Sequence, residues 1–246
     1  MKEIIINIFK QFGLSIGKFD ERKHSERKLY FERKEIFKKY KDFTMVPEMN
    51  YLDNLEVASR AKTITGDIVE CGVWRGGMIA GIGEILKNKR KYWLFDSFKG
   101  LPPAEKIDGE VAIKWQNNRE GKYYYENCKA EEDFAERAMS LAVISNKELV
   151  KGWFKDTVFK VDVKEIALLR LDGDWYESTM VCLEAFYPKV VNGGIIIIDD
   201  YYFWDGCSKA VHDYLSKNSI SDRIEQSSNG VAFIVKNKII NEFVIQ

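Results

Sequence analysis

Three apolar runs in this chain each stop on a carboxylate: KYWLFD at 91–96, EIALLRLD at 165–172 and GGIIIIDD at 193–200. Runs this short and this continuously apolar read as strands covered on both faces. DIVECG at 67–72 is another, and KELVKG at 147–152 a shorter one. Between them lie segments with helical patterning, at roughly 77–87, 132–144, 177–188 (stopped by Pro188) and 206–217. Strands that alternate with helices are joined by right-handed crossovers and build a parallel sheet. RIEQS at 223–227 and VAFIVK at 231–236 flank a Ser-Asn-Gly turn, which predicts a closing hairpin and an antiparallel edge. The expectation is a doubly wound α/β fold, and 246 residues suit one such domain with additions.

In an open α/β sheet, ligands bind beyond the carboxyl ends of the strands. Asp96, Asp172, Asp199 and Asp200 should therefore converge at one edge, with Asp174 two residues past the second strand. Carboxylates packed together raise one another's pKa, and a cation relieves the repulsion. Ligands that are all oxygen favour a hard ion, Mg²⁺ first, with Mn²⁺ and Ca²⁺ as alternatives. The competing explanation is that these acids cap the helices that follow. Capping accounts readily for one of them and less readily for four acidic positions on two neighbouring strands.

The first strand leads into Val69-Glu70-Cys71-Gly72-Val73-Trp74-Arg75-Gly76-Gly77. A dinucleotide fingerprint, G-x-G-x-x-G, needs its second glycine so that backbone can approach a pyrophosphate. Trp74 stands there instead, which argues against NAD or FAD. Glu70, Gly72 and Gly76 suit the amino-acid end of S-adenosylmethionine. Asp96, 24 residues after Gly72, is placed to accept hydrogen bonds from ribose hydroxyls, a geometry common to nucleoside cofactors. Both glycines equally serve tight helix–strand packing.

Charge narrows the partners. Lys+Arg and Asp+Glu both number 38, so no bulk field draws in a polyanion, and nucleic acid is not an expected partner. The first 40 residues are locally basic, with 11 Lys/Arg against 6 Asp/Glu. In residues 1–14, Ile4, Ile5, Ile8, Phe9 and Phe12 repeat at helical spacing. Such a helix packs on the domain or on another subunit, or else makes peripheral contact with an anionic membrane surface. Residues 18–41 read as a solvated helix or linker. Cys71, Cys128, Cys182 and Cys207 form no C-x-x-C pair and no zinc spacing, so reduced thiols and a cytoplasmic location are expected. His24 lies in the charged segment and His212 in a helical one, and neither supports a Ser-His-Asp triad.

Five segments in order resemble the macrocin O-methyltransferase (TylF-type) family, whose members methylate sugar hydroxyls on antibiotics. They are Gly66–Gly77 (GDIVECGVWRGG), Phe95–Pro102 (FDSFKGLP), Gly152–Thr157 (GWFKDT), Leu171–Ser178 (LDGDWYES) and Asn192–Tyr201 (NGGIIIIDDY). The resemblance spans most of residues 43–215. It implies a Rossmann-like class I methyltransferase with a mostly parallel seven-stranded sheet and S-adenosylmethionine as donor; a homo-oligomer is a separate expectation. It implies Asp172, Asp199 and Asp200 as metal ligands, Asp174 as general base, and Glu70, Gly72, Asp96 and Ser97 as cofactor contacts. Trp153 is placed near the adenine. The three-acid arrangement is similar to that of the catechol and caffeoyl-CoA methyltransferases. The implied organisation is a basic helical extension at 1–42 and a methyltransferase domain at 43–246. Its 97–145 segment, which matches no family motif beyond the Leu-Pro start, is expected to be a lid or acceptor-binding insertion after the second strand. Two other readings stay open. Asp172-Gly-Asp174 is also a D-x-D motif of metal-dependent nucleotide-sugar glycosyltransferases, and a non-catalytic member of the fold could serve as a partner protein.

Overall fold

In the computed structural model, which describes residues 21–87 and 89–237, strands and helices alternate as expected. The chain runs α1 (Glu21–Tyr40), α2 (Glu48–Ser59), β1 (Asp67–Cys71), α3 (Gly77–Leu86), β2 (Tyr92–Asp96), α4 (Gly109–Asn117) and α5 (Glu132–Leu141). It continues β3 (Lys147–Lys151), the single turn α6 (Phe154–Thr157), β4 (Ile166–Leu171), α7 (Tyr176–Phe186), β5 (Val190–Ile198), α8 (Asp205–Lys217), β6 (Ile224–Gln226) and β7 (Ala232–Val235). The strands form one sheet in the order β3-β2-β1-β4-β5-β7-β6. β1 to β5 pair in parallel, and β7 runs antiparallel to both β5 and β6. The winding direction reverses between β1 and β4, the switch point where such sheets open a crevice.

Alternation along the strands divides the core. Ile68, Leu168, Ile195 and Ile197 join one apolar cluster with Tyr51 and Leu55 of α2, Ile79 and Ile82 of α3, and Met139 of α5. Val69, Leu169, Ile196 and Ile198 join a second with Leu183 and Phe186 of α7 and Val211 and Leu215 of α8. Every position of β4 is buried, which is why its sequence reads as a continuous apolar run rather than an alternating one.

Helix α1 occupies most of the expected solvated stretch, but its last turns are part of the core. Tyr40 is fully buried and donates its hydroxyl to Glu84 of α3, and Ile36 and Phe37 pack on the first cluster. Arg33 pairs with Glu56 of α2 at 2.8 Å. The apolar spacing at residues 1–14 lies outside the described residues.

The 97–145 segment is docked on the sheet edge at several points. Asp108, buried, accepts the backbone N–H of Tyr176 at 2.7 Å, and Trp175 Nε1 donates to the Pro102 carbonyl at 2.9 Å. Gln116 and Asn127 donate to the carbonyls of Pro102 and Leu101. Residues Tyr125–Cys128 form one turn whose four φ angles, 46° to 59°, are all left-handed. Consecutive L-residues rarely adopt that conformation. Here the Asn127 backbone and side chain hold it against Gly100 and Leu101, and the Leu101 N–H donates back to the Asn127 carbonyl.

Candidate active site

Just past the strand ends the backbone ladder continues for one more bond each. Gly72 N–H donates to Phe95, Asp172 N–H to Cys71, Asp199 N–H to Leu171 and Gly152 N–H to Asp96. These bonds set the first residues beyond β1, β4, β5 and β3 side by side. A Cβ at Gly72 (φ 93°) would fall 1.7 Å from the Asp172 carbonyl, so only glycine allows β1 to exit there. The resulting cavity has a volume of about 590 Å³, within the usual range for a ligand cleft.

Five aspartates reach its wall: Asp96 on the side of β2, and Asp172, Asp174, Asp199 and Asp200 past the ends of β4 and β5. One oxygen each of Asp172, Asp174 and Asp200 lie within 4.8 Å of one another. Asp199 stands apart from that group. Its Oδ1 is 2.7 Å from Arg170 Nη2 and accepts from Asn54 Nδ2 at 3.1 Å. The ion pairs of the cluster run through Arg170 and reach Glu70, Asp172 and Asp199. Asp174 instead accepts the Trp204 indole N–H at 2.8 Å, and its own backbone N–H donates to Asp200 Oδ2 at 3.0 Å. Asp174 sits at φ 57°, a left-handed position that turns its side chain out of the strand direction and into the cavity.

Burial sets the electrostatics. It pushes Asp174 up to about 8, with the charge of Asp172 adding to the rise. It pushes Asp172 up to about 6 against the opposing pull of Arg170. Asp200 is driven well above the carboxylate range by burial and then by Asp174 and Asp172. At an effective dielectric of about 20, two charged oxygens that close repel by at least about 3 kcal/mol. A set of converging, mutually repelling oxygen ligands, of which only Asp172 is paired with the Arg170 guanidinium, fits a hard divalent cation.

The cofactor side is less uniform than the sequence suggests. Gly72, Asp96, Ser97 and Trp153 line the cavity beside the acids. Asp96 Oδ2 accepts the backbone N–H groups of Val73 and Trp74, and Oδ1 accepts that of Phe98. It therefore holds the turns after β1 and β2 together while facing the cleft. Ser97 Oγ closes the second turn by accepting from Lys99 and donating to Gly100. Two expected contacts lie off the cavity wall. Glu70 is fully buried under α2, paired with Arg170 at 2.9 Å, and burial pushes it up to about 8. Gly76 opens α3 at φ 80°, where a Cβ would meet Ala135 Cα of α5 at 2.8 Å, so it serves packing. An uncharged, left-handed turn at Gly72–Trp74 with acids on both sides suits the amino-acid and ribose parts of a nucleoside sulfonium better than a phosphate.

The opposite wall is aromatic. Trp115 of α4 packs on Trp175 and Trp204, with centroids 6.1 and 5.7 Å away, and Tyr123 and Tyr125 continue the wall. The Tyr123–Tyr125 run and Trp115 stand out in the sequence. Trp204 carries no such signal, because nothing local says that its indole will reach back to Asp174. Among the described residues no helix is long and apolar enough to cross a membrane.

A family model described as macrocin O-methyltransferase (TylF) matches residues 11–235. The 8-demethyl-8-(2,3-dimethoxy-alpha-L-rhamnosyl)-tetracenomycin-C 4'-O-methyltransferase of Streptomyces olivaceus is 36% identical over 186 residues, 71% of this chain and 69% of that protein. The mycinamicin III 3''-O-methyltransferase of Micromonospora griseorubida is 33% identical over 184 residues, 72% of this chain and 70% of that protein. The solved structure of the O-methyltransferase NovP superposes with a TM-score of 0.67 at 29% identity, covering 80% of this chain and 83% of that one.

Proposed function

Because the chain belongs to the macrocin O-methyltransferase (TylF) family and is an S-adenosylmethionine-dependent O-methyltransferase, we propose that its acceptor is a hydroxyl of a sugar-bearing small molecule, held beside a divalent cation. The family match decides against the glycosyltransferase reading of Asp172-Gly-Asp174 and against a non-catalytic partner protein. The curated relatives support the sugar, since one is named for a rhamnosyl substrate. The observation that carries the metal is the convergence of Asp172, Asp174 and Asp200 within 4.8 Å.

Asp172 and Asp200, two of the three converging acids, would hold the cation, Mg²⁺ being the simplest choice; Asp199, which the resemblance adds, would have to turn toward them the oxygen that Arg170 and Asn54 leave aside. A bound divalent ion lowers the pKa of a neighbouring hydroxyl and fixes its position. S-adenosylmethionine supplies an electrophilic methyl group, and Gly72, Asp96, Ser97 and Trp153 would receive it. Asp174, which lines the cleft and is oriented by the Trp204 N–H, takes the proton from the acceptor hydroxyl. The aromatic wall of Trp115, Tyr123, Tyr125 and Trp204 packs the apolar faces of a sugar and keeps water out. Much of the acceleration then comes from orientation.

The test is transfer of a labelled methyl group to a panel of glycosides. Transfer should stop with EDTA and return with Mg²⁺. Asp174→Asn should lower kcat by about 100-fold or more while S-adenosylhomocysteine still binds. Transfer indifferent to EDTA, or full activity in Asp174→Asn, removes the cation or the base from the scheme.

A further inference from the structure

Arg170 is the penultimate residue of β4 with apolar neighbours along the strand, and it is 1% exposed. A guanidinium is buried at such a place only where its charge and donors are met. Here they are. Nη1 lies 2.9 Å from Glu70 Oε1 and 2.8 Å from Asp172 Oδ2, and Nε donates to Asn54 Oδ1 at 3.1 Å. Nη2 is 2.7 Å from Asp199 Oδ1, an ion pair out of line for a hydrogen bond. Asn54, fully buried on α2, donates to that same Asp199 oxygen. Glu70 faces Arg170 directly across the β1–β4 pairing.

These contacts take one oxygen of Asp172 and one of Asp199, residues on two adjacent strand ends, and leave the other oxygen of each outside the guanidinium's grip. The planar guanidinium holds Asp172 by a hydrogen bond and draws Asp199 by charge at 2.7 Å, while Asn54 supplies the hydrogen bond to Asp199. Arg170 itself does not reach the cavity wall. We propose that Arg170 is a positioning residue for cation binding: it orients Asp172 and Asp199 toward the cleft, with Asn54 completing the hold on Asp199 and Glu70 supplying the counter-charge. This rests on the metal reading above. Groups just outside a metal's ligands commonly change its affinity by about 10–100-fold.

The experiment is calorimetric titration of Mn²⁺, and separately of S-adenosylhomocysteine, into the wild-type chain and three variants. The variants are Arg170→Lys, the paired Arg170→Met/Glu70→Leu, which removes the buried charges together, and Asn54→Leu. The expected result is a loss of Mn²⁺ affinity of about tenfold or more in both Arg170 variants, because an ammonium lacks the fork. Asn54→Leu should lose less, about threefold. S-adenosylhomocysteine affinity should stay within about twofold in Arg170→Lys and Asn54→Leu, since neither residue lines the cavity beside Gly72, Asp96, Ser97 and Trp153. A merely structural role would weaken both ligands together, and that result overturns the proposal, as does unchanged Mn²⁺ affinity in a folded variant. Should the paired variant not fold, Arg170→Lys and Asn54→Leu decide. Absence of Mn²⁺ binding to the wild type would instead sink the metal reading itself, and this proposal with it.

Discussion

Asp174 carries three burdens at once: a left-handed backbone, a bond from Trp204, and a pKa lifted to about 8 by burial and by Asp172. A carboxyl whose pKa is higher folded than unfolded holds its proton more tightly in the fold. It favours the fold at low pH and loses that advantage as pH climbs from about 4 toward 8. Asp172, lifted to about 6, acts in the same sense over a narrower window. Metal-stripped protein should therefore lose thermal stability between pH 5 and 8, and added Mg²⁺ should raise Tm more at pH 8 than at pH 6. Equal shifts at both values, read by scanning calorimetry, would contradict the repulsive cluster. The acids were legible in the sequence because parallel strands must end at one edge. The partner that organises them was not. Arg170 sits inside IALLRL and passes for part of an apolar run, although a charge within a fully buried strand already signals a buried counter-charge. Glu70, expected at the cofactor, is that counter-charge.

Elements were legible where apolar spacing was clean. Helix α2 was not foreseen, because its buried face includes Asp53 and Asn54 as well as Tyr51 and Leu55. Asp53 is buried because it receives the backbone and side-chain N–H groups of Asn229 in the closing hairpin, a contact 176 residues away in sequence. Helix α4 begins on a glycine and buries only Ala112, so its sequence shows no apolar stripe. Helix α5 was visible, but its end holds a misfit. Val143 donates to Ser140 and Ile144 to Met139, the 5→2 and 6→1 pair of a Schellman motif, which puts Val143 at φ 58°. A β-branched residue is poorly suited to that conformation, and Val143 is 77% exposed. Val143→Gly should stabilise the protein by about 0.5–1 kcal/mol, seen as a higher denaturant midpoint with unchanged slope. A lower midpoint would mean that the valine makes contacts worth more than its strain.

At the scale of the molecule, a boundary at 42/43 cuts through packing rather than along a linker. Tyr40 is fully buried beneath α3, and the Lys39 side chain bridges Glu84 and the Leu141 carbonyl. Tyr40→Ala should cost about 3–5 kcal/mol, and a chain begun at residue 43 should be at least as unstable. A denaturant midpoint close to that of the full chain would show that α1 is dispensable. The same compactness brings residues of α2, β1 and the ends of β4 and β5 to one cluster of charges, so that the acidic cluster and the helical N-terminal region pack against each other. Whether those charges hold an ion next to a nucleoside sulfonium is read most plainly from crystals grown with Mn²⁺ and S-adenosylhomocysteine, by anomalous scattering at a wavelength sensitive to manganese. The expected map has one strong peak among Asp172, Asp199 and Asp200, with the thioether of the cofactor product in the same cavity. A nucleoside bound in the cleft with no manganese among the aspartates would contradict it.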